Sequence, residues 1–169
     1  MMGYSLGMVN GVPNKVIAVM DKVIARAATN PRLGQLVLNS PRKSYKLRII
    51  FDGRKLLRPV PSRAKGMFLS YRKNEDNRKE STIWLFFSKS KMINSSKHRS
   101  VLVHELVHFF DFDVDMKFSR HYQNYWWNKL TELVENNQHD KLHIARRDGR
   151  HETRARKIQA RYLKAEVSS

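Results

Sequence analysis

The sequence predicts an α+β fold from three observations. Val16, Ile17, Val19, Met20, Val23, Ile24 and Ala27 recur near a 3.6-residue period, the pattern of a helix with one buried face. Tyr45, Leu47, Ile49 and Phe51 alternate with Lys46, Arg48 and Ile50, as in a strand with one face in a core. Val101 to Phe110 is an apolar run of helical character interrupted only by His104, Glu105 and His108. In order, these give an N-terminal helix, a short antiparallel β-meander, a central helix and further C-terminal helices.

The first twelve residues are weakly patterned and read as a loose leader. Pro13 suits a first helical turn, and Asn30-Pro31 ends that helix. A loop around Pro41 precedes the alternating strand, which stops at the turn signal Asp52-Gly53. Residues 54 to 65 carry Pro59 and Pro61 among five cations, an irregular basic loop. Gly66 to Arg72 reads as a second strand, Lys73 to Ser81 as a polar turn, and Thr82 to Ser88 as a third strand. Ser88 to Ser96 reads as a polar loop, with Ser95 or Ser96 able to cap a helix from about Lys97 to Phe112.

That helix carries His104-Glu105-Leu106-Val107-His108, an HExxH motif. Residues four apart share a helix face, so both imidazoles can bind one zinc ion while Glu105 takes a proton from water. His, Glu and His are costly among Val, Leu and Phe unless something partners them, and a metal is such a partner. A catalytic zinc takes three protein ligands and keeps one position open. Two histidines therefore leave one ligand to find. Asp111 shares their face and suits a carboxylate that orients one of the histidines.

The 169 residues suit one domain over 1–169, with residues 140–169 as a basic helical tail. The absence of cysteine excludes disulfides, zinc ribbons, thiolate metal sites and cysteine nucleophiles. No signal peptide or membrane-length apolar run is visible, so a soluble intracellular protein is expected, cytoplasmic or associated with DNA, with no membrane partner. Thirty-three Lys plus Arg against fifteen Asp plus Glu give a net charge of +18. Such an excess opposes compaction and points to a polyanionic partner, DNA first. The tail concentrates Arg146, Arg147, Arg150, Arg154, Arg156, Lys157 and Arg161, the candidate nucleic-acid-binding residues. Ile158 and Tyr162 form an apolar stripe there, which a packing helix would also show. Tyr125 and the tryptophans beside it are expected mainly in a core, with base stacking as the alternative.

Ser119 to Leu130 places His121 at the start of an aromatic helix that Ser119 can cap. Together, His104, Glu105, His108, His121, Tyr125, Trp126 and Leu130 make the chain resemble the SprT-like, or Spartan-type, zinc metalloproteases. The resemblance covers roughly residues 14 to 135. It implies a zincin-like fold, one zinc ion per chain held by His104, His108 and His121, and Glu105 as catalytic base. It also implies a protease acting on proteins crosslinked to DNA. Tyr122 stands where that family often has glycine, and a cysteine-free chain cannot form the family's zinc ribbon. Glu152, in a Glu-x-x-Ala-Arg segment, is a rival third ligand and would make the protein a glutamate-type zincin with another protein substrate. A catalytically inactive nucleic-acid-binding protein is a further alternative. A magnesium nuclease fits poorly, because such sites are rich in carboxylates.

Overall fold

A computed structural model describes residues 11–30, 35–39, 44–55, 64–72 and 79–168. It is a mixed α+β arrangement in which one long helix sits between a small sheet and a second long helix. The leader up to residue 10, the Pro41 loop, residues 56–63 of the basic loop and residues 73–78 lie outside the described residues.

Helix α1 (Asn14–Thr29) buries the seven apolar residues that its sequence period marks, Val16 through Ala27. The sheet has four strands, β1 (Gln35–Asn39), β2 (Ser44–Ile50), β3 (Gly66–Arg72) and β4 (Lys79–Leu85), in the order β1-β2-β4-β3. Tyr45, Leu47 and Ile49 of β2 are buried while Arg48 is exposed, as the alternation requires. The meander expected from the sequence is not the arrangement found. β2 pairs with β4 in parallel, and β3 pairs with β4 antiparallel on the far side. A tight hairpin link forces consecutive strands to pair. The long link between β2 and β3 leaves room for β4 to return between them. β4 also begins at Lys79, three residues earlier than expected, and β1 was not foreseen.

Residues 89–94 form a short helix, α2 (Lys89–Asn94), where a loop was expected, and Ser88 caps it by accepting from the Lys91 backbone N–H. Ser95 caps α3 (Ser96–Phe109) in the same way through the His98 N–H. Helix α3 is apolar around most of its circumference because it is covered on several sides. It packs on α1, β3 and most extensively on α6 (Arg150–Val167). Leu102, Val103, Leu106 and Phe109 are fully buried, each long side chain contributing about 1.5–3 kcal/mol.

The end of α3 widens into a π-helical turn, Phe110–Val114. Asp113 in that turn accepts hydrogen bonds from Ser70 of β3 at 2.6 Å and from Ser81 of β4, fixing the helix end to the sheet. Helices α4 (Arg120–Glu135) and α5 (His139–Asp148) then form a hairpin, and Leu130 is the one buried residue of α4. Tyr125 and Trp127 are 61% and 66% exposed, so these two aromatics are not core residues. No described helix is long and apolar enough to cross a membrane.

Candidate metal centre

The site is built where α3 and α6 run antiparallel. Arg99 near the start of α3 makes a two-pronged ion pair with Glu166 near the end of α6, its closer contact 2.7 Å. At the other end, Asp111 pairs with Arg154 at 2.6 Å. Along this seam Glu152, Ala155, Gln159 and Tyr162 recur at spacings of three and four, placing them on one face of α6.

Three side chains converge there, two through an imidazole nitrogen and one through both carboxylate oxygens. His104 Nε2 and His108 Nε2 are 3.1 Å apart, His108 Nε2 is 3.1 Å from Glu152 Oε1, and His104 Nε2 is 3.2 Å from Glu152 Oε2. Tetrahedral zinc with bonds of about 2.0–2.1 Å separates its ligand atoms by roughly 3.3 Å. The spacing therefore fits one small cation held by two imidazoles and a carboxylate. Among the described residues, His104, His108 and Glu152 are the group of His, Asp and Glu side chains able to hold a metal ion together.

His121 does not belong to this group. It lies exposed in the first turn of α4, which Ser119 caps through the Tyr122 N–H. The π-helical turn and the segment after it carry α4 away from the α3–α6 seam. The residue that α4 instead sends toward the site is Tyr122, whose hydroxyl lies 2.9 Å from His151 Nδ1. His151 is buried among Trp126, Phe112 and Phe118, with its ring centre 5.6 Å from that of His108. Burial first, then the His108 charge, push the His151 pKa down to about 4, so the ring is neutral. Its packing anchors the first turn of α6, in which Glu152 is the next residue.

Gln159 was not foreseen. Its Oε1 accepts from His104 Nδ1–H at 3.1 Å, and its Nε2 donates to Ser100 Oγ at 3.2 Å. This bond fixes the His104 tautomer and presents the Nε2 lone pair to the site. The available signal was Glu152 and Gln159 seven residues apart on a helix. His108 Nδ1 is buried and has no hydrogen-bond partner among the described residues.

The electrostatics of the cluster follow from burial and from its own hydrogen bonds. Burial would raise the Glu152 carboxyl, but hydrogen bonds from His104 and His108 overcome this and hold it below the usual carboxylate range. Burial would lower His104, yet the Glu152 hydrogen bond and the Glu105 and Glu152 charges raise it.

Glu105 points from α3 toward the start of β3. Burial pushes its carboxyl up, against the lowering charges of His104 and His108. Gly66 makes this packing possible, since a Cβ there would fall 2.8 Å from Glu105 Oε1 and 2.9 Å from Val101 Cγ1. Among the described residues β3 is an edge strand, and Phe68 stacks against His108 with ring centres 6.4 Å apart.

Asp111 is buried, with its side chain 3% exposed, and its partner is the guanidinium of Arg154 on α6 rather than a histidine. Arg154→Gln should cost about 3 kcal/mol by leaving a buried carboxylate without its cation. Adding Asp111→Asn should recover most of that loss in a denaturant titration.

The tail cations divide. Arg154 is paired with Asp111, Arg147 with Asp148 at 2.9 Å, and Arg156 donates to the Glu152 carbonyl at 3.3 Å. Arg146 and Arg150 are exposed, as are Lys157 and Arg161. Comparison with known protein families, curated proteins and solved structures gave no match.

Proposed function

We propose that the protein is a zinc-dependent metalloendopeptidase of the glutamate type, with His104, His108 and Glu152 as metal ligands and Glu105 as general base. The convergence of three ligand atoms beside a buried glutamate is the observation that supports it. Two imidazoles and one carboxylate with an open fourth position form a donor set suited to catalytic zinc. The SprT-like resemblance retains His104, Glu105 and His108, but its third histidine lies elsewhere in the fold.

When bound, zinc polarises a peptide carbonyl and lowers the pKa of water. The chain supplies the remaining work. Glu105, its carboxyl raised by burial, takes a proton from the attacking water and delivers it to the leaving amine. Gln159 keeps His104 in the ligating tautomer. Edge strand β3, flanking Glu105 and His108, offers backbone groups with which an extended substrate can pair. The net charge of +18 favours substrates that are themselves bound to DNA.

The test is metal content by elemental analysis, together with hydrolysis of an unfolded protein such as casein. One zinc per chain is expected, with hydrolysis abolished by 1,10-phenanthroline and restored by added zinc. Protein that holds no stoichiometric metal, or that cleaves equally after chelation, overturns the proposal.

A further inference from the structure

Helix α6 has a second chemical face. Arg150, Arg154, Lys157 and Arg161 follow one another at spacings of four, three and four, a single stripe about half a turn around the helix from Glu152 and Gln159. With Asp148 and Thr153 they line a groove of about 460 Å³. Two of these charges are already committed, Arg154 to Asp111 and Asp148 to Arg147. Arg150, Lys157 and Arg161 have no carboxylate partner among the described residues. Like charges three and four residues apart destabilise a helix, so a row of cations opening on one groove is a surface that gains from an anionic counterpart.

We propose that this groove binds the phosphodiester backbone of a nucleic acid without regard to sequence. The stripe is linear and about 16 Å long, enough to follow several successive phosphates along one strand. A lone phosphate would use one end of it. Arg150 also lies over the Tyr122 ring at 6.0 Å, which joins the groove to α4, the helix that exposes Tyr125 and Trp127. Exposed aromatics on a helix that meets such a groove are groups on which unpaired bases can stack. The inference is independent of the peptidase reading, because none of the three uncommitted cations belongs to the metal centre.

The experiment is fluorescence anisotropy with the full chain and a fluorescein-labelled twenty-nucleotide oligothymidylate, titrated across salt concentrations. Arg150→Gln, Lys157→Gln and Arg161→Gln combined should weaken binding about 100-fold at 0.1 M salt and reduce the log–log salt slope by about 2. A control of equal charge, Lys22→Gln, Lys91→Gln and Lys97→Gln, should lose far less. Lys157→Gln alone, at an exposed position, should still cost about fivefold if the triple variant fails to fold. Equal losses in both triple variants would reduce the effect to net charge and overturn the assignment. Capture by phosphatidylserine vesicles without capture of the oligonucleotide would overturn it as well.

Discussion

Glu152→Ala is expected to lose zinc, lowering affinity by well over 100-fold, whereas His121→Ala is expected to keep it. Outer partners of metal ligands typically contribute 10–100-fold, and Glu152 sets one carboxylate oxygen 3.1 Å from His108 Nε2 and the other 3.2 Å from His104 Nε2. Competition against a chelator of known affinity reads both variants, and zinc loss in His121→Ala alone would return the site to a three-histidine set. Gln159→Ala should fall between them, at 10–100-fold. The metal-free protein carries a second signature. Glu152 is held below its ordinary value of 4.5, so its stabilising contribution is present above that pH and is lost as the pH falls. His104 is raised above its ordinary 6.5, so its contribution is present below that pH and is lost as the pH rises through the raised value. The pair therefore stabilises the metal-free fold most between about 4.5 and 6.5, and Glu152→Ala should flatten that maximum in thermal melts.

The parts of this site written in short-range pattern were legible in the sequence. HExxH fixes its own geometry because helix pitch alone puts His104 and His108 on one face. The seven buried positions of α1 and the buried face of β2 follow from period in the same way. The third member of the His104–His108–Glu152 cluster is a different matter. Thirteen residues separate His108 from His121 and forty-four separate it from Glu152, and neither interval states which helix returns to α3. The π-helical turn at Phe110–Val114 and the Asp111–Arg154 pair decide that, and both depend on contacts between distant residues. Strand order failed for the same reason. Alternation identified β2, and strand-forming composition identified β3, but neither carried information on whether β4 would sit outside β3 or between β2 and β3. Asp111 was placed on the correct face, yet its partner came from a helix that the sequence left open between packing and phosphate binding. In the structure α6 packs through Ala155, Ile158 and Tyr162, while the cations run along a neighbouring face that meets Ile158.

Glu105→Gln should lower the rate of peptide hydrolysis by 10²–10⁴-fold, the usual contribution of a positioned general base, while retaining one zinc per chain. Glutamine preserves shape and removes only the ability to accept and return a proton. Because the native carboxyl is buried and raised by that burial, replacing it with a neutral amide removes a charge the interior disfavours. The variant should therefore melt no lower than the wild type. The wild-type kcat/KM should rise with pH through the raised Glu105 ionisation, and the variant should lack that limb. Gly66→Ala separates position from chemistry. It leaves the carboxylate present but places a methyl group 2.8 Å from Oε1, so it should reduce kcat through displacement of the base while keeping the acid limb of the profile. A Glu105→Gln protein cleaving at more than a tenth of the wild-type rate would remove Glu105 from the mechanism. The catalytic base would then have to be sought elsewhere on the α3–β3 face.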